Sequence, residues 1–209
     1  YVQSHNPYST AGYYFVTDNQ SIADATVAKA STPVVEGGTE INTFTGRTYH
    51  EKDIDNPGET GRTFLGEDFR YTTSQAFKFS LPGLVSGSEV SVLTSFAAKT
   101  MDGTSSVKFQ YNGTNLPSST ADEMEPVSAT ESSHIHYVPS TSVKRFNLSG
   151  TGDLTYTVTF KPSGTLFLAR LDYITVNYKR QLAMGSDGLL YFGYTGGRTD
   201  SRYALGGAS

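Results

Sequence analysis

Between Tyr49 and Phe69 the chain reads YHEKDIDNPGETGRTFLGEDF, with one histidine, three glutamates and three aspartates in a stretch punctuated by glycine and proline. Paired as acid and base, His50 with Glu51 or Asp53 would do proton transfer. Asp53, Asp55 and Glu59 are hard oxygen donors in a flexible loop, and Asn56 adds a carbonyl, which is calcium chemistry. Neighbours on a strand point to opposite faces, so His50 and Glu51 do not converge on one atom, and no nucleophile accompanies them. The order Asp-x-Asp-x-Asp-Gly of a dedicated calcium loop is absent. The expected reading is therefore an acidic connection between strands, with calcium at Asp53, Asp55 and Glu59 as the lesser alternative and no other cofactor. Glu67 is expected to meet Arg62 or Arg70 in a partly buried ion pair.

Other reactive residues are sparser. His134 and His136 share a strand face by their spacing but lack a third ligand nearby. Asp122, Glu123 and Glu125 read as a solvated loop. The chain holds 14 Tyr and 12 Phe but no Trp. A carbohydrate platform built on exposed Tyr is thus the alternative to a packed aromatic core. With no cysteine in the chain, disulfides, thiolate metal sites and a cysteine nucleophile are all excluded from it.

The elements that must position these residues are strands. Period-two runs occupy 12–19, 39–50, 69–84, 88–100, 105–116, 153–164 and 165–182, separated by turn residues such as Asn112-Gly113. In the fourth run, Val90 and Val92 share a face and Leu93 marks a possible change of face. Only 21–30 offers a turn or two of helix. Residues 117–145, rich in Ser and Thr, read as a long irregular connection around one short edge strand at 135–138. The whole chain, 1–209, fits a single all-β domain, an antiparallel β-sandwich of jelly-roll or Greek-key type.

The run at 168–182 divides into two faces, neither continuously polar, which predicts cover on both sides. Tyr173 and Val176 are expected to be deeply buried. If one face meets another domain instead, Tyr173, Tyr178 and Arg180 are its interaction candidates. A net charge of −4 with scattered basic residues gives no footprint for nucleic acid. No apolar run reaches the length of a membrane span.

Four blocks in order, YHEKD (49–53), GRTFLGEDF (61–69), FKFSLPGL (77–84) and LDYITVNYKRQL (171–182), resemble the region upstream of the peptidase domain in type IX secretion sortases of Bacteroidetes. Those proteins are gingipain-like cysteine peptidases of the outer-membrane surface. The likeness spans residues 8–205 and is carried by His50, Glu51, Asp53, Gly61, Arg62, Gly66, Glu67, Asp172, Tyr173 and Asn177. Thr63-Phe64-Leu65 stands where the family shows an aromatic pair with Trp, and the peptidase Cys and His are not in this chain. The resemblance implies a non-catalytic accessory domain, a fragment of a longer surface protein. It would brace the peptidase domain of its parent or contact cargo or other secretion components, outside the cytoplasm.

Overall fold

The computed structural model describes residues 38–57, 59, 61, 63–100, 105–116, 123–124, 139–163, 167–185, 188–193 and 201–207. The strands, in chain order, are β1 (Thr39–Ile41), β2 (Thr43–Glu51), β3 (Ser74–Ser80), β4 (Ser88–Thr100), β5 (Ser105–Tyr111), β6 (Thr114–Asn115), β7 (Glu123–Met124), β8 (Ser140–Leu148), β9 (Asp153–Lys161), β10 (Phe167–Gln181) and β11 (Ser201–Tyr203). No helix occurs among the described residues, so none of them forms a helix long and apolar enough to cross a membrane.

From β2 to β5, and again from β8 to β10, the chain steps between two sheets at each connection. One sheet runs β2-β10-β4-β8, and the other runs β3-β9-β5-β6 with β7 also on β5. All pairings within these sheets are antiparallel. This interleaving is the jelly-roll order. Outside the two sheets, β1 and β11 pair in parallel, with Thr39 beside Ser201.

Alternation builds the core. Val90, Val92 and Phe96 from the first sheet face Leu154, Tyr156, Val158 and Phe160 from the second, and all seven are buried. Phe96 stacks on Phe160 across the sandwich at 5.9 Å, and within the second sheet Phe109 stacks on Tyr156 at 5.6 Å. Each such side chain taken fully from water contributes about 1.5 to 3 kcal/mol. Thr94 is also buried, so the inward set on β4 continues unbroken through Leu93, which stays on the outer face. Asn112 and Gly113 close the β5–β6 hairpin with φ of 46° and 78°, the pair of left-handed residues that a two-residue turn of matching twist requires.

Three expectations are corrected. Residues 140–145 are not loop but the first part of β8. Strand β3 is shorter than the run 69–84, because the residues before Ser74 belong to a separate crossing described below. In β10 the register shifts between Leu171 and Tyr173, a β-bulge that places Leu171 and Ile174 on the same face. The inward set is therefore Ala169, Leu171, Ile174, Val176 and Tyr178, all buried. Tyr173 turns to the outer face and is half-buried, whereas Val176 is buried. The runs at 12–19, 21–30 and 135–138 lie outside the described residues.

Candidate functional site

The stretch that opens at Tyr49 begins as the last part of β2. Strand geometry sends His50 inward, where its ring sits 4.9 Å from Phe77 of the facing sheet, while Tyr49 points out and is 50% exposed. Glu51, the outward neighbour, pairs with Tyr173. Beyond β2 the chain makes an excursion closed by a short backbone clasp, in which Asp55 N donates to Leu65 O at 3.0 Å and Leu65 N to Asp55 O at 2.7 Å.

Residues 66–69 then replace β2 along the edge of β10. Gly66 N donates to Leu171 O at 2.6 Å, Leu171 N to Glu67 O at 3.0 Å and Phe69 N to Ala169 O at 2.8 Å. Leu65 and Phe69, both fully buried, anchor the crossing, and Phe69 meets Phe96 edge-on at 5.0 Å. Gly66 is required by close approach. A Cβ there would sit 3.0 Å from Lys52 O and 3.2 Å from Leu171 O, both backbone atoms.

Two ionic clusters fasten this crossing. Glu67 Oε1 accepts from His50 Nε2 at 2.8 Å and Lys52 Nζ at 3.0 Å. Burial opposes its charge, but the bonds from Lys52 and His50 outweigh that and hold the carboxyl below its usual range. Of the two expected partners, Arg70 is not bonded to Glu67. Arg62 lies outside the described residues, and Arg70 curls back on Asp68 at 2.5 to 3.1 Å. The strand period explains this, since His50 and Lys52, two apart, share the side on which Glu67 passes.

The second cluster centres on Arg170. Its Nη2 lies 2.8 Å from Asp55 Oδ2 and 3.5 Å from Asp68 Oδ2, and its Nη1 donates to Gly66 O at 3.3 Å. Asp68 is likewise held below its usual range: burial raises it, but the hydrogen bonds and charge of Arg70 and the charge of Arg170 prevail. Sequence reasoning assigned Arg170 no role. The available signal was a cation inside an otherwise apolar strand, which requires a partner once buried.

Asp172 occupies the bulge and accepts from Ser95 Oγ at 2.8 Å. Burial pushes its carboxyl up against the Ser95 bond, and the Asp53 charge adds to the rise. Tyr173 beside it is also raised, by burial first and then by Asp172 and Glu51. Tyr178 is buried, its hydroxyl donating to Pro82 O at 3.2 Å, and Arg180 lies over the Phe44 ring at 5.5 Å. Asn177 faces outward, half-buried, in a shallow groove of about 380 Å³ lined also by Thr43, Thr45, Glu89, Ser91 and Lys179.

The structure thus brings His50, Gly66 and Glu67 together and holds Asp55 to Arg170. Asp53 and Glu59 are exposed, and Glu59 and Gly61 have positive φ in the excursion. Among the described residues no group of three or more His, Asp or Glu side chains is placed to hold a metal ion. His134, His136, Asp122 and Glu125 lie outside the described residues. Chemically, the arrangement is a clip: the His50 imidazole is bonded to Glu67 and packed on Phe77, and Asp55 and Asp68 are engaged by Arg170 and Arg70.

Fold and clip together define a jelly-roll β-sandwich with an ion-paired crossing on the edge of its longest strand. No family model matches the chain, and neither does any curated protein. Solved structures do. Dimeric latent PorU from Porphyromonas gingivalis is similar in fold with a TM-score of 0.56 and 22% identity, over 71% of this chain and 14% of that one. The chain therefore corresponds to about one seventh of that protein's length. A family 35 carbohydrate-binding module from Clostridium thermocellum aligns with a TM-score of 0.36 and 14% identity, over 64% of this chain and 90% of its own. The sugar-binding C-terminal domain of EclA gives 0.34 and 16%, over 79% and 99%.

Proposed function

We propose that this chain is a non-catalytic accessory module of a gingipain-like, type IX secretion sortase, displayed outside the cytoplasm at the surface of a Bacteroidetes cell. The observation that carries the reading is the likeness to PorU in fold, joined to the sequence blocks 49–53, 61–69 and 171–182, whose residues meet in one clip. A carboxylate-rich segment whose one histidine, His50, helps to brace a sheet edge supplies rigidity rather than turnover. Its partners are the peptidase domain of the parent chain and, through it, secreted cargo or other secretion components. The test is to delete residues 1–209 from the parent polypeptide and follow cargo at the cell surface. Cargo still cleaved and attached at the normal rate overturns the reading.

The second reading is a carbohydrate-binding module, and one observation favours it. The groove beside Asn177 presents hydroxyl, amide, carboxylate and ammonium groups on an open sheet face, with Tyr49 half exposed further along β2. Micromolar binding on a glycan array, lost in Tyr49→Ala or Asn177→Ala, would select it over the first.

A further inference from the structure

We propose that Asn112, at the tip of the β5–β6 hairpin, is a modification site whose spontaneous deamidation acts as a one-way switch, loosening that end of the second sheet once the hairpin has opened. Asn112-Gly113 is the sole Asn-Gly pair in the chain. Its asparagine does more than close a turn. Asn112 N donates to Thr155 O at 2.9 Å, Thr155 N donates to Asn112 Oδ1 at 2.7 Å, and Asn112 Nδ2 donates to Asp153 O at 3.2 Å. The β5–β9 register ends with Tyr111 beside Tyr156. A side-chain carbonyl at Asn112 therefore stands in for a backbone carbonyl and carries the ladder one pair further, to Thr155. The amide has one backbone donor and one backbone acceptor as partners, and these fix which way round it lies.

The next residue brings the nucleophile. Gly113 is exposed, and no heavy atom stands within 4 Å of where its Cβ would be, so neither its amide nitrogen nor an approaching water is obstructed by a side chain. Deamidation forms a bond from Gly113 N to Asn112 Cγ and breaks the bond from Cγ to Nδ2. The Gly113 amide proton leaves with Nδ2 as ammonia. Water then opens the cyclic imide at either carbonyl, giving aspartate or isoaspartate at 112, and no oxidant or reductant takes part.

A closed hairpin opposes the first step. Ring closure draws Cγ onto Gly113 N and carries Oδ1 and Nδ2 off their partners on β9, so the bonds to Thr155 and Asp153 must break first. Opening is a local event, because β6 has two residues and Leu116 N reaches Phe109 O at a long 3.3 Å. The product does not restore what was lost. Aspartate keeps an acceptor for Thr155 N, but it sets a carboxylate oxygen against Asp153 O, where Nδ2 had donated. Isoaspartate adds a carbon to the main chain and offsets the pairs of Gln110 with Asn115 and of Tyr111 with Thr114.

Peptide mapping that separates asparagine, aspartate and isoaspartate at position 112 tests this on the 209-residue chain, kept in alkaline buffer either folded or unfolded in urea. Conversion is expected to be at least about tenfold slower in the folded chain, and equal or faster conversion there overturns the inference. Gly113→Ala should slow conversion in urea severalfold, since a Cβ crowds the attacking nitrogen; an unchanged rate would show that this nitrogen is not the nucleophile and would overturn it as well. The switch itself is read in Asn112→Asp by amide exchange. Leu116 and Thr155 should exchange at least about tenfold faster than in the parent while Val158 keeps its protection, and unchanged exchange at both overturns the inference. Should Asn112→Asp fail to fold, the aged parent chain, separated from the fresh one by its extra negative charge, gives the same readout.

Discussion

Asp55 and Arg170, 115 positions apart in sequence, meet at 2.8 Å, and through that contact the acidic excursion after β2 is tied to the first part of the longest strand, β10. Arg170 is only 10% exposed at its side chain, whereas Asp55 is 42% exposed. Truncating the arginine leaves Asp68 and the Gly66 carbonyl without that donor. Arg170→Ala is expected to cost about 2 to 4 kcal/mol, toward the low end for a buried pair because Asp55 is partly solvated. Asp55→Asn should cost no more than about 1 kcal/mol. Urea melts of the two single variants and the double variant check both figures, and an Arg170→Ala cost under about 0.5 kcal/mol would show that the clip holds nothing.

How much of this was legible beforehand depends on the range of the interaction. The strands β4 and β9 follow from period-two alternation alone, and the Asn112-Gly113 turn from local backbone preference, because both signals lie within a few residues. The bulge at Asp172 was not legible, since Leu171, Asp172 and Tyr173 look like an ordinary strand step, yet it decides which side chains of β10 enter the core. The partners of Glu67 and Asp55 depend on how the crossing lies against β2 and β10, which is set by tertiary pairing. That His50 and Glu51 point apart was legible, as it needs nothing more than the strand period.

The bulge makes a contrast within one strand. Val176→Ala removes a buried side chain and should destabilise by about 2 to 3 kcal/mol, whereas Tyr173→Ala on the outer face should cost about 1 kcal/mol. Tyr71→Ala, at 89% exposed, should stay within about 0.5 kcal/mol of the parent. Equal costs for Val176 and Tyr173 in denaturant melts would place the bulge elsewhere.

Gly66→Ala tests the crossing through the backbone. Its new Cβ would press on two carbonyl oxygens at 3.0 and 3.2 Å, and neither can swing away as a side-chain tip would. A loss of about 1 to 3 kcal/mol is expected. Amide exchange should quicken at Leu171, whose N–H bonds to Glu67 O, while Val158 in the opposite sheet keeps its protection. Unchanged exchange at Leu171 would mean that the ladder yields without consequence.

Calcium makes a separate demand on the same loop. Asp55 would have to leave Arg170 to serve as a ligand, and among the described residues no third carboxylate or histidine joins it at a common point. Millimolar calcium chloride is therefore expected to leave the Tm unchanged. A rise of several degrees that Asp53→Asn removes would restore the metal reading.

Two carboxylates, Glu67 and Asp172, should move stability in opposite directions with pH. Glu67 is held below its ordinary value of 4.5 in the folded protein, so the unfolded chain binds its proton more readily. The stability it contributes is present above about pH 4.5 and is lost as pH falls through the lower folded value. Asp172 is raised above its ordinary value of 3.8, so its effect has the other sign: the fold favours the protonated acid, and that stability disappears as pH rises through the folded value. Glu67→Gln should thus cost about 1 to 3 kcal/mol at pH 7 and progressively less below pH 4.5. Asp172→Asn preserves an acceptor for Ser95 and removes a buried charge, so it should be neutral or stabilising at pH 7. Urea melts of both variants between pH 3.5 and 7 check the pair, because a purely structural loss would be the same at every pH. If Glu67→Gln shows a pH-independent cost, His50 and Lys52 are packing neighbours of Glu67 rather than its ionic partners.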